Sequence, residues 1–275
     1  MSLWDSILLG IVQGITEFLP ISSSGHLTLF GAWLGASGHG GDPYRFFVVM
    51  THFGTLLAIV LHYRRDLARL VVAPVRTLAR GGRPLPADTP DLRLLGILAL
   101  GTVPAVLVGL FLDEWIAGLF ERPLPAAVFL AVTGLILLST RWTAPRAAGA
   151  AGWGSGLLVG LAQALAILPG ISRSGSTIAM GLAAGIERRE AARFAFLLAV
   201  PALVGATLFD LLKIESLAAV DWPVVLAGTV AAFISGWLSL VWLLRLLVRR
   251  GFWHFAWYCW AASVVGVLVI LRGGI

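Results

Sequence analysis

A single glutamate stands inside an otherwise apolar stretch near the start of this 275-residue chain. Glu17 follows Gln13 by four positions, so the two side chains share one face of a helix. A carboxylate in such surroundings must be paired, protonated or hydrated, and an intramembrane acid is a functional-site hypothesis by default. Together with the amide oxygen it could begin a site for a hard cation, completed by water and phosphate oxygens. The alternative is a protonated glutamate that hydrogen-bonds a neighbouring helix.

Hydroxyl groups and an imidazole follow this glutamate in the sequence LPISSSGH (19–26). A helix that begins here would be capped by a serine, and Ser23 and His26 would lie three positions apart on one face. A hydroxyl within reach of an imidazole is the minimal pair for an activated nucleophile. Ser22 and Ser24 flank that pair. Serine-rich caps and packed histidines are common, so a purely structural role is the alternative.

A second polar cluster interrupts the apolar sequence at LPGISRSGST (168–177). Gly170 and Gly175 allow a concave turn, and we expect a helix to start at Ile178 with its first amides directed at the cluster. Arg173 adds a permanent charge shaped to hold two phosphate oxygens. Pairing with the glutamate is the alternative, and the two interpretations are compatible because an ion pair can open for a ligand. The predicted anion-binding residues are Ser172, Arg173, Ser174, Gly175, Ser176 and Thr177.

The composition around these clusters is that of a membrane protein. Hydrophobic residues make up 59% of the chain and charged residues 12%, whereas soluble domains carry about 25% charge. This composition excludes a disordered chain, a nucleic-acid binder and an ordinary cytosolic enzyme. The single cysteine, Cys259, excludes a disulfide framework and a cysteine-based metal site. We expect the net charge of +6 to lie in cytoplasmic loops that face anionic lipid.

Six apolar segments approach the roughly 20 residues that a helix needs to cross a bilayer. The segment 64–93 holds seven arginines and three aspartates, which places it in the cytoplasm. Two further stretches, 4–36 and 153–186, are each interrupted by one of the polar clusters. Their halves are too short to cross alone, so we predict two re-entrant helical hairpins. The six predicted spans are 46–63, 92–112, 126–141, 194–212, 223–246 and 252–271.

The two interrupted stretches resemble each other in sequence. GIVQGITEFLPISSSG begins at Gly10 and GLAQALAILPGISRSG at Gly160, one residue shorter between Gln and Pro, and their Gln, Pro and Ser positions correspond. A chance match between apolar helices is the alternative. The span count places the first hairpin on the outer side and the second on the inner side, which predicts an inverted-topology repeat around a midplane site. We therefore predict an all-α polytopic membrane protein with one domain, 1–275, and repeat halves of approximately 1–145 and 150–275.

At these residues the chain resembles the undecaprenyl-diphosphate phosphatase family, the bacitracin-resistance type of integral membrane phosphatase. QGITEFLPISSSGH resembles the first signature of the family, PGISRSGST the second, and FAFLLAVPALVGAT a third stretch. The resemblance implies hydrolysis of undecaprenyl diphosphate to undecaprenyl phosphate and inorganic phosphate, which recycles the lipid carrier of cell-wall synthesis. It also implies a divalent cation (magnesium or calcium), a bacterial inner-membrane location, a site open to the periplasm, and a homodimer.

By position, the resemblance implies that Glu17 and Gln13 serve the metal and the proton chemistry. Ser23 would be the nucleophile or a phosphate contact, with His26 as its acid–base partner, and Arg173 would complete the catalytic set. Ser22, Ser24 and the second cluster would hold the diphosphate. Many family members carry Glu at the position of Gln13, which leaves the cation stoichiometry open here, and water is the alternative nucleophile. The main alternative function is a transporter or flippase for a polyprenyl phosphate lipid, since inverted repeats are typical of transporters.

Overall fold

A computed structural model describes residues 1–33, 42–143, 149–214, 216–218, 220–248 and 251–273 of the chain. Regular structure within these residues is helical, without strands. Six of the helices are long and apolar enough to cross a membrane, and each corresponds to one of the six predicted spans. These helices are α3 (Asp42–His62), α5 (Thr89–Phe111), α7 (Pro123–Ser139), α10 (Arg188–Leu212), α11 (Trp222–Val248) and α12 (Phe255–Leu271). A 3-10 turn extends α7 to Trp142 and another precedes α12 from Phe252, so that each of these two spans has 20 residues.

The outer surface of the helical bundle is apolar. Phe111 and Leu212, at the ends of two spanning helices, are 80% and 86% exposed. Large exposed apolar side chains recur along the spans, among them Leu110, Leu135 and Leu238. A continuous surface of this kind is favourable against hydrocarbon chains and unfavourable in water.

Both interrupted stretches fold as two helices separated by irregular backbone, as predicted. The first consists of α1 (Leu3–Phe18) and α2 (Ser23–Trp33), and the second of α8 (Trp153–Leu165) and α9 (Arg173–Ala183). None of the four is long enough to cross about 30 Å of hydrocarbon at 1.5 Å per residue. We call the connecting residues 19–22 the first break and residues 166–172 the second break.

The predicted start of the helix after the second break was wrong. The sequence predicts a helix from Ile178, whereas α9 begins at Arg173. The hydroxyl of Ser172 accepts the backbone N–H of Gly175 at 3.1 Å and caps the helix there. The polar residues of the second cluster therefore lie in the first turns of α9, with their side chains fixed by helical geometry.

The two breaks share the same local hydrogen bonds. In each, a serine hydroxyl caps the following helix by accepting a glycine N–H three residues on, and contacts the hydroxyl of the serine two residues on. The cap distances are 3.2 Å for Gly25 to Ser22 and 3.1 Å for Gly175 to Ser172, and the hydroxyl pairs Ser22–Ser24 and Ser172–Ser174 are both 3.2 Å apart.

Each interrupted stretch packs against a spanning helix from the other half of the chain. A Cβ atom on Gly10 of α1 would lie 2.2 Å from the carbonyl oxygen of Gly228 of α11. A Cβ atom on Gly160 of α8 would lie 2.2 Å from the carbonyl oxygen of Gly101 of α5. Small residues are what allow helices to approach this closely in a membrane. Gly10 and Gly160 are the first residues of the two matching sequences.

Two further helices lie between the predicted spans, α4 (Arg64–Ala79) and α6 (Asp113–Phe120). Leu70 and Ala73 form the buried face of α4. Asp66 near its start accepts hydrogen bonds from the guanidinium of Arg193 at 2.7 and 3.2 Å, which ties α4 to α10. The arginines of this segment indicate a charged cytoplasmic surface, and they obscure the helical period of its apolar residues.

Candidate active site

Glu17 lies at the end of α1, is 7% exposed, and has both carboxylate oxygens hydrogen-bonded. Oε2 accepts from the hydroxyl of Ser23 at 2.5 Å and from the side-chain amide of Gln13 at 3.0 Å. Oε1 accepts from the guanidinium of Arg173, with which it forms an ion pair. The structure therefore joins the first polar cluster to the second through one carboxylate.

Each break contacts the first turn of the helix that follows the other break. The hydroxyl of Ser174 donates to the carbonyl of Leu19 at 3.3 Å. The backbone N–H of Gly170 donates to the hydroxyl of Ser24 at 3.5 Å. A Cβ atom on Gly25 would lie 3.0 Å from the Cα of Gly170. The irregular backbone at residues 19–22 and 169–172 is buried in protein.

A cavity of about 10 Å³ lies against the ion pair. This volume accommodates about one water molecule, so a diphosphate does not fit while Glu17 and Arg173 are paired. The arginine side chain is 20% exposed, compared with 5% for the glutamate, and is the more accessible partner. A ligand that replaces the carboxylate on Arg173 would open the site. The cavity is lined by Glu17, Phe18, Ile59, Arg173, Ser174, Thr177, Ala195, Phe196 and Ala199.

His26 is not hydrogen-bonded to Ser23, contrary to the expected pairing. Its Nδ1 lies 2.8 Å from the carbonyl oxygen of Ser22, and its Nε2 lies 2.8 Å from the hydroxyl of Tyr258. Helical side chains lean toward the N-terminus of their helix, which brings the ring over the preceding turn. The hydroxyl of Ser23 donates to Glu17 instead.

The other hydroxyls of the second cluster are mostly used within the protein. Thr177 donates to the backbone carbonyl of Arg173 at 2.7 Å, and Ser172 caps α9. The hydroxyl of Ser176 is buried and has no partner among the described residues. The same is true of the side-chain oxygen of Gln13. These two unsatisfied groups are the buried polar atoms of the predicted site that remain available to a ligand or water.

A threonine that was not predicted from the sequence stabilises the backbone of the second break. The hydroxyl of Thr133, on α7, accepts the backbone N–H of Ser172 at 3.0 Å and donates to the carbonyl of Gly170 at 2.8 Å. It thereby satisfies two backbone groups that the break leaves free. In the sequence, Thr133 is one hydroxyl residue within the predicted span 126–141. No regular spacing relates it to the second break, so its contacts could not be predicted.

An apolar groove of about 610 Å³ adjoins the first break. It lies between the first interrupted stretch and the region where α11 is followed by α12. Its walls are almost entirely hydrocarbon, and His26 and Tyr258 lie together on them. Such a groove suits a hydrocarbon chain. Its lining residues are Val12, Ile15, Thr16, Leu19, Ile21, His26, Phe30, Leu246, Gly251, His254, Phe255 and Tyr258.

The oxygen atoms at the site fit a divalent cation only in part. Within the described residues, no group of three His, Cys, Asp or Glu side chains could hold a metal ion. The unpartnered oxygen of Gln13 and the carboxylate of Glu17 are the kind of hard ligands that Mg²⁺ and Ca²⁺ prefer. Mg²⁺ commonly takes one or two protein ligands and completes its shell with water and phosphate oxygens. The site could therefore hold a cation together with a phosphorylated substrate.

Comparison with known proteins places this sequence in a family. The family model of the bacitracin resistance protein BacA matches residues 6–265. This chain belongs to the BacA family. The resemblance seen in the two polar clusters is thereby confirmed. With its six apolar helices, this BacA-family chain is a multi-pass membrane protein.

Three relatives match the chain over nearly its whole length, and all three are named undecaprenyl-diphosphatase. The protein of Desulforapulum autotrophicum is 38% identical over 281 aligned residues, covering 99% of each chain. That of Anaeromyxobacter dehalogenans (strain 2CP-1) is 41% identical over 280 residues, covering 99% of this chain and 93% of the relative. That of Kineococcus radiotolerans is 37% identical over 278 residues, covering 100% and 96%. These names give no support to the transporter interpretation.

Proposed function

We propose that this protein hydrolyses undecaprenyl diphosphate to undecaprenyl phosphate and inorganic phosphate, and so recycles the lipid carrier of cell-wall synthesis. One observation carries the proposal. Glu17, Ser23 and Arg173 form a single hydrogen-bonded group where two interrupted helices meet. The names of the relatives indicate the substrate, and the site supplies an acid, a hydroxyl and a guanidinium for the chemistry.

Arg173 binds the diphosphate in this mechanism. Its guanidinium presents a fork of donors that matches two phosphate oxygens, and it leaves Glu17 to do so. It also stands at the start of α9, where the free amides and the positive end of the helix favour an anion. Positioning and charge stabilisation are the main demands of phosphoryl transfer. The surrounding residues of the two clusters, Ser22, Ser24, Ser172, Ser174, Gly175, Ser176 and Thr177, shape this anion site.

Glu17 acts as the proton acceptor. The hydroxyl of Ser23 already points at its Oε2, 2.5 Å away, so the carboxylate can take a proton from the serine or from a water in its place. When Arg173 turns to the phosphate, Glu17 loses the positive charge that stabilises its ionised form. Substrate binding and activation of the base are therefore coupled.

A divalent cation, magnesium or calcium, would be held by Gln13, Glu17 and the substrate. Gln13 contributes its unpartnered oxygen. When bound, the cation supplies positive charge that offsets the phosphoryl oxygens. Gln13 also orients Glu17 through its amide, which donates to the carboxylate at 3.0 Å.

The lipid part of the substrate lies in the apolar groove beside the first break. The groove offers about 610 Å³ bounded by hydrocarbon side chains. His26 stands on its wall, so we place its imidazole beside the leaving lipid phosphate and away from Ser23. The mechanism thus keeps the hydrocarbon tail of the leaving lipid phosphate apart from the polar reaction site.

We further propose an inverted repeat with two re-entrant hairpins in the bacterial inner membrane. Three features support it: the matching caps of the two breaks, the matching approaches of Gly10 and Gly160, and the arginine-rich segment 64–93. By the positive-inside rule that segment is cytoplasmic, and the site is reached from the periplasm. The homodimer implied by the resemblance stays a prediction.

Phosphate release by the detergent-purified protein tests the proposal. We expect undecaprenyl diphosphate to yield inorganic phosphate, and a chelator to stop the release until Mg²⁺ or Ca²⁺ is restored. A detergent solution has no second compartment, so transport alone gives no signal. A folded protein that releases no phosphate with either cation would exclude the proposed hydrolysis.

A further inference from the structure

Both ring nitrogens of His26 are occupied by protein groups. Nδ1 lies 2.8 Å from the backbone carbonyl of Ser22, one turn earlier in the chain. Nε2 lies 2.8 Å from the hydroxyl of Tyr258, which is 232 positions later, on α12. The histidine is 4% exposed, so water does not replace these partners. Two elements remote in sequence thus fix one imidazole.

These partners determine where the proton of the neutral ring resides. A carbonyl oxygen only accepts hydrogen bonds, so Nδ1 of His26 carries the hydrogen. Nε2 of the neutral ring then has a lone pair, and the hydroxyl of Tyr258 donates to it. Because a phenol hydroxyl also accepts, the same contact persists when Nε2 gains a proton.

Packing holds the ring in this orientation. The ring of Tyr258 stacks on His26 with 5.7 Å between centroids and 12° between planes. Phe30 of α2 also stacks on the histidine, at 6.4 Å and 18°. Tyr258 is 46% exposed and lines the apolar groove, so the contact lies where the groove meets the first break.

We propose that Tyr258 is a positioning residue for His26. The carbonyl of Ser22 sets the Nδ1–H form, and the hydroxyl of Tyr258 holds Nε2 at the groove wall and away from Ser23. This inference rests on the proposed function for its kinetic consequence, because the residue it orients stands beside the leaving lipid phosphate. The orientation itself is a property of the protein and does not depend on any substrate.

Nitrogen-15 NMR of histidine-labelled protein tests the orientation directly. The chain has five histidines, and the signal lost in His26→Gln identifies the ring of interest. We expect the wild-type ring to show a protonated Nδ1 and an unprotonated, hydrogen-bonded Nε2. In Tyr258→Phe, which keeps the stacking and removes the hydroxyl, the Nε2 signal should shift. An Nε2–H tautomer in the wild type, or an unchanged signal in the variant, would overturn the proposal.

Phosphate release then separates positioning from general stability. Tyr258→Phe should lower kcat about tenfold, by analogy with the loss of outer partners of functional histidines, while KM stays within about twofold. Tyr63→Phe is the matched control, since that hydroxyl has no hydrogen bond among the described residues and its ring packs on Phe196. Equal losses in both variants would contradict a positioning role. If the wild type releases no phosphate, the proposed function fails while the NMR result still decides the orientation.

Discussion

The carboxylate of Glu17 meets a different kind of donor at each oxygen. One oxygen faces the guanidinium of Arg173, and the other accepts from Ser23 and Gln13. A buried charge needs such partners, because no other interaction offsets the free-energy cost of removing an unpaired ion from water. The same contacts that stabilise the ion in the apo protein therefore place a base and an anion-binding group side by side.

Removal of this charge should affect both stability and chemistry. We expect Glu17→Gln to lower phosphate release at least about 100-fold, which corresponds to about 2.7 kcal/mol in the barrier. The free energy of unfolding should fall by about 3 kcal/mol, because the variant leaves Arg173 in a largely buried position without its partner. Unfolding of the detergent-solubilised protein and phosphate release measure the two effects.

The double variant Glu17→Gln/Arg173→Gln is the control for this experiment. With both charges gone, the stability should return toward the wild-type value while phosphate release stays absent. Wild-type turnover in the single variant, or activity regained in the double variant, would contradict the roles assigned here.

Both residues of this pair were predicted site residues, with their ion pair as an alternative to anion binding, because polar side chains inside apolar helices are conspicuous in a sequence. Sequence analysis could not predict the direction of His26, since spacing along a helix fixes a face but not the partners of a ring. Tyr258 and Thr133 were missed for a related reason. Their contacts join positions far apart in the chain, and neither residue type is unusual in a membrane helix.

At the scale of elements, the second break depends on one glycine. Gly170 has a φ of +95°, which L side chains rarely adopt. A Cβ atom there would also lie 2.2 Å from the carbonyl oxygen of Ala126 on α7. The backbone that carries Arg173 into contact with Glu17 therefore has no room for a larger residue.

We predict that Gly170→Ala lowers the free energy of unfolding by more than about 2 kcal/mol and reduces phosphate release, because both strain and a clash are introduced. Gly109→Ala is the matched control. It lies within α5 with no atom within 4 Å of the added Cβ, and should be neutral or stabilising by about 0.5–1 kcal/mol. Equal stability of the two variants in an unfolding titration would contradict this account of the break.

The helices themselves were largely predictable from the length and continuity of the apolar segments. The start of α9 was not, because Ser172 and Ser174 resemble loop residues in sequence. Their hydroxyls instead cap and support a helix that begins five residues earlier than expected. A serine that caps a helix and a serine in a loop look alike in the sequence, because they differ only in hydrogen-bond geometry.

Across the whole molecule, each half of the chain packs a helix of its interrupted stretch on a spanning helix of the other half. α1 packs on α11 and α8 on α5, with paired glycines at both contacts. An inverted repeat predicts that both ends of the first interrupted stretch face the periplasm and both ends of the second face the cytoplasm. Helix packing does not show which side of the membrane each end faces. Labelling of the ends from each side decides this.

Single cysteines in a Cys259→Ala background make this test. In intact spheroplasts, a membrane-impermeant thiol reagent should label cysteines at Ser2 and Trp33. Cysteines at Trp153 and Ala183 should react only after permeabilisation. The four positions are at the ends of the interrupted stretches, and the tryptophans are 63% and 51% exposed. Labelling of the two ends of one stretch from opposite sides would exclude a re-entrant hairpin.

We propose that Arg173 and Glu17, brought together where the two interrupted stretches meet, carry out hydrolysis of a lipid diphosphate. Phosphate release from undecaprenyl diphosphate by purified Arg173→Ala, beside Arg189→Ala at an exposed position of α10, tests it most directly. We predict a loss of about 10²–10³-fold for Arg173→Ala, comparable to the loss of one charge-stabilising donor, and wild-type turnover for Arg189→Ala. Near-wild-type turnover in a folded Arg173→Ala protein would contradict the account.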